Sequence, residues 1–198
     1  MKRVGDGLGI FCKDKVISSA YVPNHLVADV KKAYGRTITY RQAWIGCNRG
    51  VEHSRGSSED SYQYLVGYSH MLEKHNPGTF TRIESDDGDV FKYYFMAIGV
   101  CLEGFKTYAR PAFAVDGTHL TGEHQGMLLS AVGFDGNENI FPFAFGIVDS
   151  ENNDACAWFM GELYNALGED YCTNPDLLII TDRSIPLTNA IEEKFNNA

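Results

Sequence analysis

Apolar residues change their spacing along this chain near residue 80. Upstream they recur every three or four positions, the period of a helix with one buried face. Pro23 and Asn24 open a predicted helix through HLVADVKKAY, with Leu26, Val27 and Val30 on one side, and Gly35 breaks it. Thr39 is a candidate N-cap for a second helix beginning TYRQAW. With Lys31, Lys32, Arg36 and Arg41 outside, the pair reads equally as a small helix-turn-helix or as a plain helical hairpin. A third helix is predicted from Ser57 to His75. Ser57 and Asp60 approximate a capping box, Tyr64, Leu65, Tyr68, Met71 and Leu72 form a packing stripe, and NPGT (76–79) is the stop. The first 20 residues are Gly-rich and weakly patterned. Gly5, Gly7 and Gly9 make no complete G-x-G-x-x-G, so a flexible tail or frayed strand is expected.

Downstream the pattern is that of strands. TFTRIES (79–85) alternates, DDGD (86–89) reads as a turn, and residues 90–105 read as a strand running into a helix that ends near Gly104. PAFAVD (111–116) is a buried strand ending at an acid. GMLLSAVGFD (126–135) and IFPFAFGIVD (140–149) form a hairpin around GNEN, with Pro142 marking a sheet edge or bulge. SENND (150–154) caps a helix over 154–168 whose one face carries Trp158, Phe159, Leu163 and Leu167. PDLLIITD (175–182) is a further buried strand ending at an acid, and Pro186 lies in the first turn of a last helix over 186–195. The order βββαβα implies an α/β (α+β) fold, a mixed sheet with helices packed on it. Three regions are expected: a flexible tail over 1–20, a helical segment over 21–79 and the sheet domain over 80–198.

Composition changes this picture little. Hydrophobic residues make up 44% and charged residues 22% of 198, which suits a folded, non-membrane protein. The start, MKRVGDGLGI, is too polar for a secretory signal, so an intracellular protein is expected. Five cysteines without a C-x-x-C pair argue against a disulfide framework or a cysteine zinc site, and reduced thiols in or near the core are expected. Charge adds more. The net value is −9, yet residues 1–55 carry ten Lys or Arg against four Asp or Glu, whereas residues 56–198 carry seven against 22. A basic front suits phosphate and an acidic body suits cations, although uneven solvated charge accounts for the same numbers.

Two strands carry the candidate chemistry, because Asp116 and Asp182 each directly follow a hydrophobic run. An acid after a strand is often only a turn former or helix cap. If the two strands are neighbours, however, the carboxylates share one region, where they repel each other unless a cation lies between. Hard oxygen ligands suit Mg2+ or Mn2+, and two such ions about 4 Å apart serve phosphodiester chemistry. Asp116-x-x-His119 reads as a metal pair that His124 extends, or as His119 shaping the site from beside Asp116. Arg183 either contacts a phosphate or pairs with an acid.

The run RPAFAVDGTHLTGEHQGMLLSAVGFDGNENIFPFAFGIVDSENNDACAWF, followed by LLIITDRS, closely resembles the transposase domain of plant Mutator-like elements. SYQYLVGYSHMLEKHNPGT and FKYYFMAIGVCLEGF match the same family, and the resemblance spans roughly residues 20–198. It implies a DDE-type nuclease of ribonuclease H-like fold, with Asp116 and Asp182 as the first and second metal-binding acids. It also implies two Mg2+ or Mn2+ ions in the complete enzyme, DNA (transposon ends and target) as partner, a nuclear location and a possible homo-oligomer, with no membrane involved. In place of enzymatic work, a domesticated DNA-binding or transcription-regulating module is the alternative. The sequence departs from the family pattern in three ways. The third acid, a Glu, and the Cys/His cluster before it are expected beyond Ala198, so the expectation is an incomplete chain with little activity; Glu192 and Glu193 fall too early to substitute. Cys156 stands where the first of two tryptophans is expected, leaving Trp158. GCNRGVEHSRG (46–56) replaces a usually charged, continuous helix.

Overall fold

The computed structural model describes residues 2–18, 20–56, 58–86, 90–121 and 125–195. The chain divides into two compact units, Met1–Gln63 and Tyr64–Ala198.

The first unit contains helices α1 (Lys2–Cys12), α2 (Pro23–Tyr34) and α3 (Tyr40–Arg55). Its core is small: Cys12, Val16, Leu26, Val30, Ala43 and Cys47. Gly35, at φ 65°, ends α2 in the left-handed conformation that glycine adopts without a Cβ penalty, and its N–H donates to Lys31 O at 3.0 Å. Thr39 opens α3 with a capping box. Its Oγ1 accepts from Gln42 N at 3.2 Å, and Gln42 Oε1 accepts from Thr39 N at 2.9 Å.

Two expectations are corrected here. The Gly-rich start is helix α1 rather than a tail or frayed strand, and GCNRGVEHSRG continues α3 rather than interrupting it. One cause explains both. Gly5 and Gly9 on α1 lie one turn apart, as do Gly46 and Gly50 on α3, and the two helices meet there at backbone distance. A Cβ on Gly9 would lie 2.7 Å from Arg49 Cβ and 3.0 Å from the Arg49 carbonyl carbon. One on Gly46 would lie 2.8 Å from Leu8 Cβ, and one on Gly50 2.9 Å from Cys12 Sγ. Close packing offsets the entropy that glycine costs inside a helix.

Helix α4 (Ser58–His75) crosses the division between the units. In the second unit its Ser69 hydroxyl, buried, bonds to the Tyr94 hydroxyl at 3.2 Å. Six strands follow: β1 (Phe80–Asp86), β2 (Val90–Ala97), β3 (Ala112–Leu120), β4 (Gly126–Phe134), β5 (Ile140–Val148) and β6 (Leu178–Thr181). Helix α5 (Gly99–Tyr108) precedes β3, α6 (Asn153–Leu167) and the short α7 (Glu169–Cys172) precede β6, and α8 (Ile185–Lys194) comes last. The sheet order is β1-β2-β5-β4-β3-β6. Every pairing is antiparallel except β3 with β6, so the mixed α+β sheet expected from the sequence is present.

One core joins the strands to α5, α6 and α8, with Phe95, Phe105, Phe113, Phe143, Phe159, Leu163 and Leu187 buried together. Phe105 stacks on Phe143, centroids 4.1 Å apart. Gly146 lets the Phe159 ring lie on β5, since a Cβ there would come within 2.9 Å of Phe159 Cε2. The β4–β5 turn is clamped by Asp135, whose Oδ1 accepts from Asn137 N and Asn139 N at 2.8 Å and whose Oδ2 accepts from Asn139 Nδ2 at 2.9 Å. The Asn139 side chain first, then the backbone donors, holds that carboxyl below its usual range. Pro142 sits at the predicted irregularity: the β4–β5 register shifts between Ala131 and Val132, whose partner is Pro142. Helix α5 outlasts the stop expected at Gly104.

The helix contact generates a paired prediction. Gly7→Ala, in open space, should stabilise the first unit by about 0.5–1 kcal/mol, whereas Gly9→Ala should destabilise it by about 1–3 kcal/mol despite the better helix former. Urea unfolding followed by circular dichroism separates them, and equal effects would contradict the α1–α3 contact.

Candidate metal centre

The strand carrying Asp116 does not end there. β3 continues to Leu120 because Gly126–Ser130 of β4 pair with residues 116–120. Alternation along β3 buries Phe113 and Val115 and turns Ala114 and Asp116 to the opposite face. Gly117 follows Asp116 where Met127 and Leu129 cover the core face; a Cβ there would lie 3.2 Å from Met127 Sδ and 3.1 Å from Leu129 Cδ2.

Asp182 is brought beside it by the parallel ladder. Ala112 pairs with Leu178, Phe113 with Ile179, Ala114 with Ile180 and Val115 with Thr181. The next residue along each is an aspartate, Asp116 still on β3 and Asp182 just past the end of β6, and neighbouring strands lie about 4.8 Å apart. Both residues are exposed. Gly117 N donates to Asp116 Oδ1 at 2.9 Å, and Ser184 N donates to Asp182 Oδ1 at 3.0 Å. Among the described residues neither carboxylate forms an ion pair with a Lys or Arg. Two hard oxygen donors without an ion-pair partner among the described residues fit a divalent ion, as part of a ligand set. Among the described residues no group of three or more His, Cys, Asp or Glu side chains is gathered around one point.

A third carboxylate reaches this neighbourhood indirectly, and the sequence pattern did not single it out. Glu151, in the run read only as helix caps, accepts from the Ser184 hydroxyl. Ser184 therefore ties Glu151 to the backbone turn that holds Asp182. The neighbouring Asn152 is the actual N-cap of α6, its Oδ1 accepting from Ala155 N at 2.8 Å. Cys156, which stands where a tryptophan was expected, is fully buried behind this corner. Burial first, then the charges of Glu151 and Asp182, pushes its thiol up to about 11, so it is held as an inert neutral thiol.

The remaining candidates separate from the pair. His119 lies within β3, three residues past Asp116, and strand alternation turns those two side chains to opposite faces. It lines a hollow with Leu120, Thr121, Gln125, Gly126, Asp149 and Ser150. His124 lies outside the described residues. Arg183 is exposed beside Asp182, with no acid paired to it among the described residues.

Thr181, one residue before Asp182, buries its Oγ1 without a hydrogen-bond partner among the described residues. An unpaired buried hydroxyl costs about 1–3 kcal/mol. Thr181→Val should therefore leave stability unchanged or raise it by about 1 kcal/mol or more in thermal unfolding. A clear loss would mean that the hydroxyl is bonded.

No curated protein matches the chain. Residues 112–198, from the first residue of β3 through the segment bearing both aspartates, match the family model of the MULE transposase domain, so this part of the chain is similar to a MULE-type transposase.

Proposed function

We propose that this chain is part of a DDE-type DNA transposase whose sheet unit has the ribonuclease H-like arrangement, with Asp116 and Asp182 as two of its metal-binding acids. The observation that carries this reading is the parallel register Val115↔Thr181, after which the next residues are Asp116 on β3 and Asp182 just past β6. The family match over residues 112–198 supports the same reading.

In this reading each residue has a distinct task. Asp116 and Asp182 present carboxylate oxygens to Mg2+ or Mn2+, and water and phosphate oxygens take the other ligand positions. The bound ions, two in the complete enzyme, would activate a water or 3′-hydroxyl and stabilise the departing oxygen at phosphorus. Gly117 N–H and Ser184 N–H each fix one carboxylate oxygen. Glu151 steadies the Ser184 turn through the hydroxyl bond. Arg183, exposed and beside Asp182, is placed to meet a phosphate of the DNA strand. The partners are transposon ends and target DNA, the place of work is the nucleus, and joining two DNA ends favours a homo-oligomer.

Titration calorimetry with Mn2+, and separately Mg2+, tests the metal reading. The chain should bind, and the Asp116→Asn, Asp182→Asn double variant should bind at least about tenfold more weakly. Equal, weak heats from both would show that the aspartates are turn and cap residues only.

A further inference from the structure

The first unit holds a pair of thiols that the carboxylate corner does not use. Cys12, the last residue of α1, and Cys47, on α3, both lie in the small core of that unit, 0% and 8% exposed. Cys12 Sγ donates to the carbonyl oxygen of Gly46, the residue before Cys47, at 3.5 Å, and lies 3.7 Å from Gly9 O. The two side chains also bond to each other, the Cys12 S–H toward the Cys47 sulfur. The other cysteines, Cys101, Cys156 and Cys172, belong to the second unit.

A disulfide requires Cα atoms within about 7 Å of each other and side chains that meet. The glycine crossing of α1 and α3 supplies the approach. A Cβ on Gly50, three residues after Cys47, would lie 2.9 Å from Cys12 Sγ, so the sulfur sits against the α3 backbone itself. The two thiols differ in acidity. Burial first, then the charge of Cys47, pushes the Cys12 thiol up to about 11. Burial raises the Cys47 thiol too, but the bond from the Cys12 S–H opposes that rise. Cys47 is therefore the sulfur that ionises first and attacks, and Cys12 the one that resolves. Both stay largely protonated near neutral pH, so the pair answers a sustained oxidant rather than a brief one.

We infer that Cys12 and Cys47 form a redox modification site, which hydrogen peroxide or a related hydroperoxide closes into a disulfide that clamps α1 to α3. The Cys47 thiolate attacks the peroxide, breaking the O–O bond and giving a sulfenic acid and hydroxide. The Cys12 thiolate then displaces a second hydroxide from that sulfur, and the two thiol protons convert both hydroxides to water. The sulfurs lose two electrons in all and the peroxide gains them. Helix α2 lies inside the loop that the bond closes, so one covalent link holds all three helices of the unit. The inference stands on the first unit alone and does not depend on the proposed function.

The test uses the full chain, reduced, freed of reductant and then exposed to hydrogen peroxide in native buffer. Remaining thiols are blocked with N-ethylmaleimide after unfolding, and the chain is digested without reduction for mass spectrometry. The expected product is a cross-linked peptide joining Cys12 to Cys47. The helical melting transition of the first unit should rise by at least about 5 °C on oxidation and return with dithiothreitol. Cys47→Ala should abolish both effects, and Cys12→Ala should stop at a sulfenic acid on Cys47 that dimedone traps. Absence of the Cys12–Cys47 peptide from the oxidised native chain, its formation only in urea, or an unchanged transition once it has formed would each overturn the inference.

Discussion

Four residues of parallel pairing, Ala112↔Leu178 to Val115↔Thr181, set Asp116 and Asp182 side by side. β6 is a short edge strand, and β3 is its one neighbour. A slip of one residue along this ladder would turn Asp182 to the other face and separate it from Asp116. The register is fixed from both sides. Leu178 N donates to Pro111 O at 2.9 Å at the start of the ladder, while Phe113 and Val115 face the core across from Ile179 and Thr181. The helices contribute through the same core. α6 carries the chain from β5 to the far edge, and α6 and α8 cover the face into which Phe113, Phe159, Leu163 and Leu187 pack.

The corner beyond that ladder combines charge and burial in an ordered way. The carboxylates stay at the surface, and the groups behind them are neutral: the Cys156 thiol and the Thr181 hydroxyl. Ser184 links the loop after β6 to Glu151 at the start of α6, so the two segments flanking the corner hold one another. In the proposed reading the protein supplies the orientation of the two acids and a divalent ion would supply the charge.

Much of this was legible in the sequence because the relevant signals are local. The hairpin around GNEN, the bulge at Pro142 and the two strands leading to Asp116 and Asp182 follow from alternation and turn chemistry. What escaped depends on partners distant in sequence. β3 extends past Asp116 because β4 continues to pair with it, so His119 falls on that strand, on the opposite face from Asp116. The Glu151–Ser184 bond joins positions 33 residues apart, and SENND by itself reads only as caps. The Gly-rich start reads as a tail or frayed strand because its apolar pattern is weak. The missing signal was the four-residue spacing of Gly5 and Gly9, matched by Gly46 and Gly50, which is a contact pattern between two helices and not a property of either.

The central claim is that the β3–β6 register makes one divalent site of Asp116 and Asp182. Substoichiometric Mn2+ added to the isotopically labelled chain, with amide broadening read residue by residue, tests it most directly. The account predicts that signals of residues 115–117 and 181–184 broaden first and together. Broadening centred on the hollow around His119 and Asp149, or spread evenly over the acidic surface, would contradict it.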